Sequence, residues 1–269
     1  MSVKNTKHFN VFTSPPLELD EAKNDLMALG NSASVVLSDT LPPKTECLEK
    51  SKHLRETTWV FIAPHQQKSA DRAHFDIAWY QAGQSIQRCG HGTLAAARYL
   101  HNTMESTLPL VFHSASERLH VTAKNQQYCL QFDPIQLIDD QLGFFAKAKR
   151  VAKTQSLDGY YLIDVASELA VKNFAFNQEL INAIKQRALI VTAVADHAQY
   201  DIVFRYFAPQ YGVLEDQATG SAGPCLWAFW QNQFPQATFN CYQASAKGGF
   251  FTLSQAAKTV MVSGYITEK

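Results

Sequence analysis

The sequence has no excess of either charge and no long apolar segment. Its 24 Lys and Arg residues equal its 24 Asp and Glu residues, so no basic field is available to attract nucleic acid or anionic lipid. No window approaches the roughly 20 apolar residues of a membrane-spanning helix, and residues 1–8 lack the apolar segment of a secretory leader. These absences argue against nucleic-acid and membrane partners and predict a cytoplasmic protein.

Cysteine and histidine patterns that hold metals are also missing. The five cysteines, at positions 47, 89, 129, 225 and 241, form no Cys-x-x-Cys pair, and their odd number argues against a disulfide framework. The nine histidines include no His-x-x-x-His or His-Glu-x-x-His pattern, and the glycine-rich stretches lack the Rossmann and P-loop spacings. We therefore expect free thiols, no metal and no cofactor.

Two stretches in opposite halves of the 269-residue chain share one layout. Residues 215–223 run from two acids through a glycine turn into the apolar run 224–230, and residues 88–92 run through a similar turn into the alanine-rich run 93–100. Each apolar run is long enough for a buried helix. The repetition predicts a duplicated architecture with one site between the two copies.

The remaining chain alternates strand-like and helix-like segments. The least structured connection lies around residues 105–116, which predicts an N-terminal half over residues 1–112 and a C-terminal half over residues 113–269. The central helices are expected from about residues 91 and 220, and the last strand is expected to return to the first half. Predicted strands cover 8–13, 33–37, 56–62, 75–80, 119–122, 128–132, 158–165, 189–193, 202–207, 249–253 and 259–264, and predicted helices cover 18–29, 45–54 and 178–187.

A family resemblance spans nearly the whole chain, because five motifs occur in one order. They are Gly30-Asn31, Glu56-Thr57-Thr58, Cys89-Gly90-His91-Gly92-Thr93, Arg205-x-Phe207-Ala208-Pro209 and Glu215-Asp216-x-x-Thr219-Gly220-Ser221-Ala222. Together they resemble the signature set of the phenazine-biosynthesis isomerase (PhzF-like) family. The resemblance implies the α/β (α+β) diaminopimelate epimerase fold, in which each half wraps a curved, mostly antiparallel sheet around a central helix. It also implies a site in the cleft between the halves, and a homodimer.

The sequence departs from the family pattern at a few positions. Gln217 stands where proline is usual, Gly223 where histidine is frequent, and Ser32 where proline commonly follows Gly-Asn, while the segment between Phe12 and Gly30 is lengthened. We expect Gln217 and Gly223 to mark a difference in substrate preference.

The resemblance also assigns the acid and base. It implies that Glu56 is a proton shuttle and that Asp216 lies on the other side of the substrate. A carboxyl group in an apolar cleft beside Trp59 or Phe61 has a raised pKa because of desolvation, which suits proton donation near neutral pH. The residues alone leave other roles open: Glu56 as a surface or helix-end acid, and Asp216 as an N-cap ahead of Thr219.

The glycine turns suggest an anion site. A helix N-terminus exposes free amides and a partial positive charge, so two of them facing one cleft suit a substrate carboxylate. By resemblance the amides belong to Gly90, His91, Gly220 and Ser221. The alternative is that the glycines serve only tight turns and helix packing.

Side chains at these turns have further possible roles. His91 at a helix start is expected to be neutral and to contact the substrate or relay a proton, although it can equally satisfy a buried polar group. Ser221 is expected to be a contact rather than a nucleophile. Cys89 matches the first of two catalytic cysteines in the diaminopimelate epimerase relatives, but Thr219 stands at the second, so racemisation by two thiols is not expected. Cys89 as a small buried residue is the alternative.

These observations favour a cofactor-independent isomerase or epimerase that moves a proton on a small carboxylated metabolite. One alternative is a metabolite-binding protein without catalysis on the same fold. A second is a Cys-His hydrolase that uses Cys89, although we expect the Cys89 and His91 side chains to diverge.

Overall fold

The computed structural model describes most of the chain. The described residues are 6–16, 27–54, 57–67, 69–104, 109–141, 145, 147–156, 159–211, 213–234 and 236–269. Most of the helix predicted over 18–29 lies outside them, as do Glu56 and position 158. Within the described ranges, no helix is both long and apolar enough to cross a lipid bilayer.

The chain divides into two compact units. The first comprises Met1–Gln131 together with Ser263–Lys269, and the second comprises Phe132–Val262. The first unit contains helices α1 (Lys44–Ser51) and α2 (Gly90–Met104) and strands β1 (Lys7–Thr13), β2 (Asn31–Leu37), β3 (Thr58–Pro64), β4 (Ala73–Gln81), β5 (Gln84–Ile86), β6 (Leu110–His113), β7 (Arg118–Lys124) and β8 (Gln127–Phe132).

Strands of the first unit form one ladder in the order β1, β2, β3, β4, β6, β7 and β8. Its pairings are antiparallel except for β2–β3 and β4–β6. Strand β17 (Thr259–Glu268) pairs with β1 and with β8 and so closes the ladder. Because β6, β7 and β8 continue the ladder from β4, the division falls after Gln131 and not at the expected 112/113 boundary.

Helix α2 packs against the inner face of this ladder, on β1, β2, β3 and β7. A side chain at Gly92 of α2 would contact Val60 of β3 and Trp79 of β4, which are both buried. The next residue along each strand, Phe61 and Tyr80, points to the opposite face of the sheet and packs with Cys47 of α1 in a separate cluster. Alternation along each strand therefore separates an α2 face from an α1 face.

The second unit is also a sheet with a buried helix. It contains α3 (Glu168–Lys172), α4 (Gln178–Ile184), α5 (Gly223–Trp230), β9 (Leu137–Asp139), β10 (Arg150–Thr154), β11 (Tyr160–Asp164), β12 (Ala188–Val194), β13 (Ile202–Ala208), β14 (Val213–Glu215), β15 (Thr238–Gln243) and β16 (Gly249–Ala256). The order is β9, β10, β11, β12, β13, β15, β16, with β14 also on β13. Only β11–β12 and β13–β15 are parallel among these pairings.

Helix α5 is apolar on nearly all sides and packs against β9, β11 and β16. A 3-10 turn, Gly220–Ala222, precedes it directly. Trp227 stacks on Phe239 of β15 with ring centroids 4.8 Å apart, and the Trp230 indole N–H donates to Thr192 Oγ1 at 3.1 Å. A helix of this composition is stable because the sheet covers it.

The expected α+β class is confirmed, and both central helices begin where the glycine turns predicted. Short elements went unpredicted: β5, β6, β9, β10, β14, β15 and α3. Strand β6 lies inside the segment expected to be an irregular connection. Its four residues, Leu110–His113, are too few to show a period, and pairing with β4 and β7 makes them a strand.

Candidate functional site

Cys89 shapes the start of α2. Its carbonyl oxygen accepts from the Thr93 amide at 3.0 Å and from Thr93 Oγ1 at 2.7 Å. Its thiol lies 3.4 Å from the amide nitrogen of Gly92, which donates to it. A Cβ at Gly92 would lie 3.0 Å from the Cys89 sulfur and from Trp79 Cδ1. The glycine therefore allows close packing here, and Cys89 is a buried residue that helps to form the turn.

His91 is tied to the first residue of β3. Its Nε2 lies 3.1 Å from Thr58 Oγ1, and the Thr58 hydroxyl donates to Gln81 Oε1 at 3.2 Å. A hydroxyl has one proton, so Thr58 accepts from His91 and the imidazole carries its proton on Nε2. Thr58 follows Glu56 by two positions, and it orients the imidazole at the end of the Glu-Thr-Thr motif.

The Cys89 and His91 side chains converge, so the expectation that they diverge was wrong. The Cys89 sulfur lies 3.5 Å from Nδ1 and 3.6 Å from Nε2 of His91. The helical turn brings the two side chains to the same end of α2. A sulfur aligned with one ring nitrogen would be much farther from the other, so these nearly equal distances place it off both lone-pair directions.

Asp216 lies at the start of the second glycine turn. Its Oδ2 accepts from Thr219 Oγ1 at 2.6 Å and its Oδ1 accepts from the Gln217 amide at 2.8 Å. The N-cap role considered from the sequence is not seen, because neither the 3-10 turn Gly220–Ala222 nor α5 has a side-chain cap. These two bonds orient both oxygens of the carboxylate.

Residues at and just after the C-terminal end of β15 hold the loop formed by residues 216–219. Gln243, which is fully buried, accepts from the Thr219 amide at 2.7 Å and donates to the Asp216 carbonyl at 2.6 Å. Ser245 Oγ donates to the Gln217 carbonyl at 2.6 Å. These bonds fix the backbone on which the Asp216 carboxylate stands.

Arg205 and Glu215 form a second support. Two parallel hydrogen bonds of 2.7 and 2.8 Å join the guanidinium to the carboxylate, and the pair is mostly shielded from water. The remaining Arg205 nitrogen donates to the carbonyls of Lys172 and Phe174 at 3.2 and 2.9 Å. Glu215 immediately precedes Asp216, so this pair anchors the strand that leads into the carboxylate loop.

Gly220 and Ser221 form the 3-10 turn that follows Thr219. The first backbone amides of such a turn have no acceptor within the turn, so they can donate hydrogen bonds to a group outside it. Gly220 is buried and Ser221 is half-buried.

Two departures from the family pattern have packing explanations. A Cβ at Gly223 would lie 2.5 Å from Val262 Cγ2, so this position has no room for the histidine of relatives. The Gln217 side chain accepts from the Lys247 amide at 3.1 Å. Gln217 thus helps to hold the loop and Gly223 allows close packing against Val262, and a role of either position in substrate preference stays a prediction.

Within the described residues, each unit therefore assembles its own group of predicted side chains. In the first unit His91 contacts both Cys89 and Thr58, and in the second Asp216 and Thr219 contact each other and Gln243. Glu56 lies outside the described residues. No set of three His, Cys, Asp or Glu side chains with metal-binding geometry occurs in the described part of the chain.

Three contributors had no assigned role from the sequence: Thr58, Gln243 and the Arg205–Glu215 pair. Thr58, Arg205 and Glu215 lie within the recognised motifs, so their motif membership was the available signal. Gln243 carried no local signal, because its partners lie 24 and 27 positions away.

Known proteins match this chain along most of its length. It is 30% identical over 195 residues to an uncharacterized isomerase of Pseudomonas aeruginosa, covering 70% of this chain and 73% of the relative. It is 26% identical over 269 residues to an uncharacterized isomerase of Halalkalibacterium halodurans, covering 94% and 96%. The family model for phenazine biosynthesis-like proteins matches residues 136–265.

Solved structures agree on the fold. A PhzF-family phenazine biosynthesis protein of Enterococcus faecalis superposes with a TM-score of 0.78 at 24% identity, covering 98% of this chain and 95% of that chain. A hydroxyproline epimerase of Agrobacterium vitis superposes with a TM-score of 0.53 at 10% identity, covering 99% and 91%. Fold and relatives together define an isomerase with an epimerase-type fold. The chain belongs to the phenazine biosynthesis-like, or PhzF-like, protein family.

Proposed function

We propose that this isomerase moves a proton between two carbon atoms of a small carboxylated metabolite without a cofactor. A carboxylate base removes the proton from an acidic C–H bond, and the electron pair of that bond enters the π system of the substrate. A carboxylic acid then returns a proton at a second carbon, so that the double bond shifts or the stereocentre inverts. The reaction is redox-neutral and balanced in protons.

In this proposal Glu56 shuttles the proton and Asp216 is its acid or base partner. The amides of Gly90, His91, Gly220 and Ser221 bind the substrate carboxylate, with Cys89 and Thr219 lining the site. His91 is the third catalytic residue, and its imidazole contacts a polar substrate group or relays a proton. The protein acts in the cytoplasm as a homodimer, without nucleic-acid or membrane partners.

The arrangement around Asp216 carries the proposal. Both of its carboxylate oxygens are oriented by the turn that begins at Thr219, and Gln243 and the Arg205–Glu215 pair hold the backbone on either side. A catalytic group that is already held in position before the substrate binds needs little reorganisation free energy during the reaction.

The test is proton exchange at carbon in deuterated water. Wild-type protein is incubated with two classes of small acid, α-amino acids and β,γ-unsaturated acids, and deuterium incorporation is followed by NMR. We expect incorporation with at least one class and a loss of at least about 100-fold in Glu56→Gln and Asp216→Asn. Glu46→Gln, an exposed acid of α1, is the matched control and keeps the wild-type rate.

Two outcomes would contradict the proposal. Exchange in Glu56→Gln as fast as in wild type removes the role given to Glu56. Saturable carboxylate binding without exchange for any substrate favours the metabolite-binding alternative.

The short contact between Cys89 and His91 keeps the hydrolase alternative open to test. Loss of activity in Cys89→Ala, together with inactivation by a thiol-alkylating reagent, would support it. We expect Cys89→Ala to retain exchange activity, because the sulfur is off both lone-pair directions of the imidazole.

A further inference from the structure

The outer face of the first unit's sheet carries a polar pocket. It lies on β4, β6 and β7 and in the loop before β4, and it encloses about 300 Å³. This volume is at the lower end of the range for small-ligand sites. Its lining residues are Gln67, Ser69, Asp71, Arg72, His74, Val111, Arg118 and His120.

This pocket is separate from the start of α2. His74 alternates along β4 with Phe75, Ile77 and Trp79, which are buried. Trp79 faces Gly92 of α2, so His74 projects from the opposite face of the strand. A ligand in the pocket would therefore not occupy the proposed catalytic site.

The pocket has an excess of positive charge. Arg118 has no carboxylate partner among the described residues. Arg72 bonds Asp71 through Nε at 3.3 Å, and its Nη1 donates to His120 Nδ1 at 3.4 Å. That bond places the His120 proton on Nε2 as a further donor. Asp71 is the one carboxylate lining the pocket, and it is exposed.

Histidines crowd the same face. His74 Nδ1 lies 3.0 Å from His113 Nε2, and its other nitrogen lies 3.3 Å from Ser69 Oγ. The His113 ring stacks on His65 at 3.8 Å, and His65 bonds the carboxylate of Asp76 at 2.7 Å. Apart from Asp76 and Asp71, the groups facing these imidazoles are neutral or cationic.

This crowding affects protonation. The pKa of His120 is lowered by burial and by the positive charges of Arg72 and Arg118. The pKa of His113 is lowered by burial and by His65 and His74. An anion in the pocket would offset the repulsion on His120 and raise its pKa, so binding would be accompanied by proton uptake at His120. A phosphate group itself loses charge as the pH falls towards its second pKa of about 6, which opposes any gain in affinity at lower pH.

We propose that this pocket binds a phosphate group, either free or as a phosphomonoester. Two guanidinium groups and the Nε2–H of His120 can contact a tetrahedral dianion from several sides, whereas a planar carboxylate would use only some of these donors. The site is independent of the proposed isomerase chemistry.

The experiment is calorimetric titration of the full chain with inorganic phosphate, at constant ionic strength, at pH 7.5 and pH 6.0. A parallel titration with a glycerol phosphate distinguishes a free ion from a phosphomonoester. Arg118→Gln and His120→Gln test the pocket, and Lys124→Gln, an exposed cation on the same strand, is the matched control. Histidine resonances of His74 and His120 are followed by NMR.

We expect one saturable site at pH 7.5, together with a higher His120 pKa in the phosphate-bound state, followed through the His120 resonances between pH 7.5 and pH 6.0. Arg118→Gln should weaken it about tenfold, with Lys124→Gln within twofold of wild type. Tighter binding of the glycerol phosphate would identify a phosphomonoester as the ligand, and equal or weaker binding would identify the free ion. Absence of saturation, equal weakening by Lys124→Gln, or full competition by chloride would each overturn the proposal. Exchange activity at carbon should not change in Arg118→Gln.

Discussion

The side-chain oxygen of Gln243 accepts a 2.7 Å hydrogen bond from the backbone amide of Thr219. The same amide side chain donates to the Asp216 carbonyl at 2.6 Å and lies 3.3 Å from Thr219 Oγ1. One buried glutamine therefore joins both ends of the turn that orients the Asp216 carboxylate. It is a positioning residue, because it acts on the carboxylate only through the loop.

Replacing Gln243 with leucine should loosen this turn. The Thr219 amide and the Asp216 carbonyl would lose their partners in a buried setting, so the free energy of unfolding should fall by about 1–3 kcal/mol. Urea denaturation measures the loss, and hydrogen exchange should show faster exchange of the Thr219 amide. Gln255→Leu on the exposed part of β16 is the control. Unchanged protection of Thr219 would contradict the positioning role.

Arg205 and Glu215 should couple strongly, because their bidentate pair is shielded and Arg205 also binds carbonyls after α3. A double-mutant cycle with Arg205→Lys and Glu215→Gln should give a coupling free energy of about 1–3 kcal/mol. The bidentate pair Arg88–Glu117, in which the arginine side chain is half-exposed, is the matched comparison, and its cycle should give less than about 1 kcal/mol. Equal coupling in both cycles would show that shielding does not matter here.

Gly223→Ala should destabilise the second unit, although alanine is the better helix former. The added Cβ would lie 2.5 Å from Val262 Cγ2 and 3.0 Å from Leu253 Cδ2. We expect a loss of about 1–3 kcal/mol from overpacking, measured by thermal and urea denaturation. Val262→Ala in the same chain should recover part of it. A stable Gly223→Ala protein would mean that β17 can move away without cost.

Glu168 should make stability depend on acid pH. Burial alone would raise its pKa, but hydrogen bonds from Lys172, the Tyr200 hydroxyl and the Asp196 amide outweigh burial and lower the pKa below 4.5. A lowered pKa means that the unfolded chain binds more protons. The stabilisation is therefore complete above pH 4.5 and is lost as the pH falls through the folded-state pKa.

Glu168→Gln tests this dependence. It should lower the free energy of unfolding at pH 7 by about 1–3 kcal/mol and flatten its decline between pH 5 and pH 3. Urea denaturation across this range gives both quantities. Glu179→Gln, an exposed acid of α4, should leave the pH profile unchanged. A profile that is equally steep in Glu168→Gln would assign the acid dependence to other groups.

Much of the fold was predictable because its signals are local. The glycine turns and apolar runs placed the starts of α2 and α5 correctly, and alternation located the longer strands. Hydrophobic patterning reports which residues are buried, but it does not report which strands pair. The parallel pairings of β4 with β6 and of β13 with β15 depend on contacts between distant segments.

The residues of the candidate site likewise fall into those with a local signal in the sequence and those that depend on contacts between distant segments. Reading the residues alone was enough to predict that Asp216 precedes a glycine turn, that His91 opens a helix, and that motifs of one family occur in order. The contact of Cys89 with His91, and the hydrogen bonds by which Thr58 and Gln243 hold the predicted residues, became visible in the folded chain. A buried polar atom must find a partner, and the partner is whichever group the folded strands bring within hydrogen-bonding distance.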